Sequence, residues 1–219
     1  DIERTAEIAV KHGFQVNTHA IGDRANRETL SIYQRVFEAA EVDGKALRWR
    51  IEHAQHINPD DIIRFADLGV IAAMQGVHCT SDGPWIPSRL GIDRTRETSY
   101  PWRSLIEAGV LIGNGTDVPV EPIDAIASYT ATVTRITKDG TAFYPEHVMT
   151  RQEALESYTI NNAIAAFEED IKGSLTPGKL ADLVVLSKDL LIVPDEELPN
   201  TEVDMTIIGG AVVYTRAGP

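Results

Sequence analysis

The chain has 219 residues, 43% of them hydrophobic and 24% charged, with a formal net charge of −13. No apolar run approaches the ~18 residues of a membrane span, and an acidic surface repels phosphate backbones, so neither a bilayer nor a nucleic acid is an expected partner. Cys79 is the single cysteine; it excludes an internal disulfide and a thiolate-rich metal site and fits a reducing, cytoplasmic setting.

The opening stretch DIERTAEIAVKHG carries neither a Met nor a signal-type segment. Ile2, Ala6, Ala9 and Val10 keep helical spacing and Gly13 ends the helix, so the sequence reads as a fragment with structure expected upstream. QVNTHA then forms a short strand that finishes on Asn17, Thr18 and His19. Residues 24–41 form a long helix, and RWRIEH is a second strand ending on His53. Asn58-Pro59-Asp60-Asp61 supplies a cap, a Pro in the first helical position and acids in the first turn. Gly69 ends that helix, and the third strand runs to Gln75, with His78 just beyond.

Residues 76–100, GVHCTSDGPWIPSRLGIDRTRETSY, read as a long loop, of a length at which loops are commonly functional. Through Trp85, Arg89 and Arg94 it could cover a substrate; equally, it could be a surface loop packing its Trp on a neighbour. A helix near Pro101 stops at Gly109, and the fourth strand leads into Gly-Thr-Asp117. Thr150 and Glu153 form a capping box ahead of the helical stretch ALESYTINNAIAAF. After about residue 172 no helix separates the strands, and Gly209-Gly210 supplies a hairpin turn.

Strands alternating with helices define an α/β chain with a parallel sheet. Four such units match half of an eight-stranded barrel, residues 1–172, followed by a small β appendage, residues 173–219; from the pattern alone a doubly wound sheet stays open. In either fold chemistry collects at the carboxyl ends of the strands, which here carry His19, His53, Gln75 with His78, and Asp117. Alternation places Asn17 with His19, and Trp49 and Ile51 with His53; if that face is the interior, both imidazoles converge with Asp117. Arg50 and Glu52 would then point into the helix layer and need partners there.

Two imidazoles and a carboxylate suit Zn²⁺ or a similar ion, which would make hydroxide available near neutral pH and polarise a carbonyl. Each residue also has an ordinary reading: a satisfied polar histidine at a strand end, a His53 held by Glu52, an Asp117 that caps a turn. His12, His56 and His147 read as structural or surface residues.

THAIGDRA, RIEHAQ, MQGVHCTSD, GTDVPVEP and GSLTPGKLADLVVL, in that order, resemble the metal-dependent amidohydrolase superfamily, in the branch containing N-substituted formamide deformylase and D-aminoacylase-like proteins. The resemblance covers essentially the whole chain. It implies a distorted (β/α)₈ barrel with a small β-sandwich, of which this chain is the C-terminal half of the barrel, strands 5–8, and the returning part of the sandwich. It implies His19 and His53 as metal ligands ending the fifth and sixth barrel strands, and Asp117, after the eighth, as both ligand and general acid/base. One or two divalent ions, most simply Zn²⁺, and a small-molecule substrate with an amide-like, non-peptide C–N bond follow. Gln75, His78 and Arg89 are the candidate substrate contacts.

The sequence departs from the family in having no His-x-His pair and no bridging lysine or acid, and it carries Gly76-Val77 where relatives more often have Pro-Thr, a change expected to loosen the turn that places His78. The missing ligands motivate an alternative, a non-catalytic half-barrel scaffold or subunit that needs a complementary chain. Raw strand edges on such a unit make a homo-oligomer the expected assembly. A phosphosugar barrel enzyme is disfavoured because no Gly-rich anion cradle follows the last strands.

Overall fold

The structure, a computed structural model, describes residues 1–217. Helix α1 (Ile2–Lys11) buries Ala6 and Ala9 and stops before Gly13, whose φ of +72° only glycine adopts without strain. Strand β1 (Asn17–Ala20) leads to α2 (Asp23–Ala40), which turns Leu30, Tyr33, Val36 and Phe37 inward at three- and four-residue spacing. A single turn, α3 (Gly44–Leu47), precedes β2 (Arg50–His53). Helix α4 (Pro59–Leu68) starts as its sequence dictates, with the Asn58 side chain accepting from the Asp60 N–H and Pro59 in the first turn, and ends on Gly69 at φ +66°. Strand β3 (Ile71–Met74) follows.

Residues 76–100 are not the open loop expected from the sequence. They fold into α5 (Gly76–Asp82), α6 (Ile86–Leu90) and α7 (Ile92–Thr98). These helices are anchored by Ile86, Thr95, Thr98 and Ser99, all buried, and by hydroxyls that bond back into the preceding turn, Thr95 Oγ1 to the Gly91 carbonyl and Thr98 Oγ1 to that of Arg94. Arg94 is committed to Asp23 at the head of α2, 2.7 Å away, and Trp85 remains half exposed. Gly76 does not loosen its turn either. It is buried, and a Cβ there would lie 2.2 Å from Thr132 Oγ1 and 2.5 Å from the Ser128 carbonyl, so the helix start depends on having no side chain.

Helix α8 (Trp102–Glu107) and β4 (Ile112–Asn114) complete a four-stranded parallel sheet in the order β1-β2-β3-β4. Tyr33 Oη donates to Thr18 Oγ1 at 2.6 Å, so Thr18 and its register neighbours Ile51 and Ala72 face the helices. Trp49 does too, its ring 4.9 Å from that of Phe37. This corrects the expected facing. Trp49 and Ile51 are packing residues, whereas Arg50 and Glu52 share the opposite face with Asn17 and His19, by register. They partner each other there, Arg50 Nε lying 3.2 Å from Glu52 Oε1 and Arg50 Nη1 donating to the Ala165 carbonyl.

Helix α9 (Ala125–Thr134) is followed by what the sequence suggests is one helix but is two, α10 (Arg151–Tyr158) and α11 (Ile160–Ala165), broken at Thr159 with φ −127° and ψ −94°. The break lets Asn161 and Asn162 donate to the carbonyls of Ile112 and Asn114. Leu111 and Gly115 bond to β3, so alternation directs those two carbonyls to the outer edge of β4, which is therefore covered rather than raw.

The capping box forms as expected: Thr150 Oγ1 accepts from the Glu153 N–H, and Glu153 accepts from the Thr150 N–H. Arg103 also clamps Glu153 through two bonds of 2.6 and 2.9 Å, and these hold its carboxyl at a pKa of about 2. That value lies below the ~4.3 of an unfolded glutamate, so the stabilisation is complete above about pH 5 and disappears as pH falls toward 2. After allowance for solvent screening, Glu153→Gln is expected to remove about 1 kcal/mol at neutral pH and to make no difference near pH 2, as read from urea melts at the two pH values.

Beyond residue 172 the chain builds a separate antiparallel sheet, β5 (Leu183–Leu186), β6 (Val203–Ile208) and β7 (Ala211–Thr215). Gly209 and Gly210 both take positive φ, 57° and 81°, as a two-residue hairpin turn requires. The β5–β6 connection buries Leu190 and Leu198 in the same core as the parallel sheet. No helix among the described residues is long and apolar enough to cross a membrane.

Candidate metal centre

The four parallel strands deliver their polar tips to one rim. His53 reaches that rim by an unusual backbone route: it and Ala54 adopt φ of +75° and +46°, left-handed values that side-chain-bearing residues rarely take. Simple alternation would send His53 into the helices with Ile51. The left-handed pair turns it instead toward His19, and the two rings meet edge to face at 4.5 Å.

His78 sits in the first turn of α5, 7% exposed, with its ring 5.8 Å from that of His53. Asp117, also at positive φ (61°), lies in the turn after β4, a conformation aspartate tolerates better than most residues. Its Oδ2 is 3.1 Å from His78 Nε2. One ligand atom from each of His53, His78 and Asp117 fits within 4.8 Å of the others.

His19 abuts this cluster through its ring contact with His53. Gln75, expected at the substrate, accepts from His53 Nδ1 through Oε1 at 2.8 Å and is 8% exposed. Arg89 lies exposed on α6, and no hydrogen bond or ion pair among the described residues joins it to the cluster. Glu121 escaped the sequence reading: its Oε1 is 3.8 Å from His78 Nδ1, so His78 stands between two carboxylates. The signal was its spacing, one turn past Asp117 in GTDVPVEP, where the Glu121 N–H bonds the Asp117 carbonyl.

Burial, reinforced by the neighbouring His19, lowers the pKa of His53 despite the opposing Gln75 bond, so the ring is held neutral, the form in which an imidazole ligates a metal. The donor set fits a divalent ion: two imidazoles and a carboxylate, with one nitrogen of His53 already engaged by a neighbour. Cys79 takes no part. It is fully buried, and burial pushes its thiol up to about 11. His56 bonds Ser99 Oγ at 3.0 Å and His147 the Arg96 carbonyl at 3.2 Å, both structural contacts.

A parallel α/β sheet with imidazoles and a carboxylate gathered at its carboxyl rim places the molecule among the α/β proteins whose sites lie at strand ends. The chain belongs to the amidohydrolase family, whose model matches residues 1–214. It is similar to the protein LONG AFTER FAR-RED 3 of Arabidopsis thaliana, at 38% identity over 94% of this chain and 35% of that protein. It is also similar to the N-substituted formamide deformylase of Arthrobacter pascens, at 28% identity over 100% of this chain and 40% of the enzyme. Among solved structures it resembles an uncharacterized metal-dependent hydrolase from Pyrococcus horikoshii, with a TM-score of 0.74 and 31% identity over 89% of this chain and 38% of that one. The chain thus spans well under half the length of these relatives.

Proposed function

We propose that this chain contributes part of the metal centre of a hydrolase acting on amide-like, non-peptide C–N bonds of small molecules. The observation that carries the reading is the convergence of His53, His78 and Asp117 from three separate strand ends onto one point. His53, His78 and Asp117 would hold the ion, with His19 beside them as a further imidazole; Zn²⁺, as one or two ions, suits that set best. When bound, the cation supplies Lewis acidity toward a carbonyl oxygen and makes water a stronger acid. Asp117 takes up a proton on a carboxylate oxygen and passes it to the departing amine nitrogen, and His78, 3.1 Å from Oδ2, holds that carboxylate in place.

In architecture, residues 1–172 serve as half of a (β/α)₈ barrel and residues 173–219, of which 218 and 219 lie outside the described residues, as part of a β-sandwich. Four consecutive parallel βα units and a likeness to a hydrolase more than twice as long support that assignment. A second reading is a subunit that gains its remaining ligands from a complementary chain or another copy. It is favoured by the polar row of exposed Asn17 and His19 with partly exposed Arg50 and Glu52, a face that no helix among the described residues covers completely. A reducing, cytoplasmic location suits the one buried thiol.

The test is metal content together with hydrolysis. The full-length protein is expected to carry stoichiometric zinc and to hydrolyse members of a panel of N-formyl and N-acyl amines. His53→Ala is expected to weaken zinc binding by more than the ~10–100-fold typical of losing a ligand's outer partner, and to abolish turnover. Full turnover by a thoroughly metal-free protein would exclude the enzymatic reading, and a metal-free, inactive assembly that gains both properties on mixing with another chain would select the second.

A further inference from the structure

Gln75 occupies the residue before α5, where a side chain ordinarily caps the helix, yet its amide makes no capping bond. It turns instead to two other partners. Nε2 donates to the Ala73 carbonyl at 3.4 Å, and Oε1 lies 2.8 Å from His53 Nδ1. A backbone carbonyl only accepts, so Ala73 fixes which end of the amide faces which way. With Nε2 on Ala73, Oε1 faces the ring and can only accept, so Nδ1 must carry the proton. The side chain is 8% exposed, leaving little water to offer either atom an alternative. On its other side the ring of His53 is braced by His19.

We propose that Gln75 is a positioning residue that locks His53 in the Nδ1–H tautomer, leaving Nε2 as the nitrogen with a free lone pair for the cluster it forms with His78 and Asp117. An isolated imidazole favours the opposite tautomer, so without Gln75 part of the population would present an N–H where a lone pair is wanted. This assignment replaces a substrate contact, for both polar atoms of Gln75 are engaged within the protein. It rests on the metal-centre reading only for the use to which the lone pair is put.

The experiment has two readouts. Long-range ¹H–¹⁵N correlation spectra of the full-length, metal-free protein, with His53 assigned against His53→Gln, report the tautomer directly. Zinc affinity is measured by competition with a chromophoric chelator. Wild type is expected to show Nδ1–H. Gln75→Leu, which preserves bulk, is expected to lose that preference and to bind zinc about 10–100-fold more weakly. Gln75→Glu, which keeps an acceptor at the same place, is expected to retain the tautomer and most of the affinity.

A wild-type His53 protonated on Nε2 overturns the proposal whether or not any variant folds, and so does a folded Gln75→Leu that keeps Nδ1–H. If the tautomer follows residue 75 while no form of the protein binds zinc tightly, the proposal holds and the metal-centre reading falls.

Discussion

Asp117→Asn is expected to lower kcat by about 10²–10⁴-fold, the range typical of losing a positioned acid or base, while leaving the thermal midpoint within a few degrees of wild type. The exchange is nearly isosteric. Asparagine tolerates the left-handed φ of +61° as readily as aspartate, so the turn that carries the residue survives. Its amide oxygen can still accept from His78 Nε2, now 3.1 Å from Asp117 Oδ2, so the geometry around the imidazole is kept as well. What disappears is an oxygen that can take a proton and release it, together with the negative charge that assists a divalent ion. Steady-state rates on an N-acyl amine, with zinc content measured on the same samples, separate these two losses. A variant that keeps its zinc and loses its rate assigns proton transfer to Asp117; one that keeps both removes Asp117 from the chemistry.

The rim of this site was legible because a buried parallel strand spells itself plainly. An apolar run after a glycine leads to Gln75 and to Asp117, and the alternating Phe14 and Val16 lead to His19; each time the polar residue lands at or just beyond the carboxyl end of its strand. Helix starts were equally clear where a side chain does the work, as at Asn58-Pro59 and Thr150 with Glu153, and so was the hairpin turn at Gly209-Gly210, where two glycines take positive φ.

What misled the reading of faces was His53 itself. Counting back from it by twos assigned Trp49 and Ile51 to the wrong side, because alternation holds only while the backbone stays extended and His53 has already left that region. Positive φ at a histidine followed by alanine has no sequence signature, unlike the same geometry at glycine. The helices between residues 76 and 98 were hidden for a different reason. Each spans seven residues or fewer, too short to establish a period, and Gly83, Pro84, Pro87 and Gly91 interrupt the stretch with the usual marks of a loop. Their burial against the rest of the chain, not their propensity, makes them helical.

Arg135 is where a substitution is expected to affect stability most. Its side chain is fully buried at the end of α9, and among the described residues no carboxylate pairs with it. The guanidinium instead donates from Nε to the Phe143 carbonyl at 2.7 Å, from Nη1 to that of Tyr100 at 2.9 Å and from Nη2 to that of Ser99 at 3.4 Å. Its plane lies over the Trp102 ring, 4.6 Å from the centroid.

Burial lowers its pKa, yet an arginine starts so high that it keeps its charge. Arg135→Lys retains a charge but replaces the flat five-donor fork with a compact, strongly hydrated ammonium that cannot span three carbonyls, and it is expected to destabilise by about 3–5 kcal/mol. Arg135→Met leaves carbonyls unpaired but also removes the buried ion, and is expected to destabilise less, by about 1–3 kcal/mol. Against a total stability on the order of 5–15 kcal/mol, either change is large.

The order of the two is the informative result, measured by urea denaturation at neutral pH. If lysine proved the milder change, the positive charge would be the asset at this position, and the three-carbonyl fork would not explain why it is buried. The effect should also reach the metal rim. The Tyr100 N–H bonds the Gln55 carbonyl and Tyr100 Oη bonds Asp82, the last residue of the helix that carries His78, so a loosened Tyr100 loosens the far end of α5.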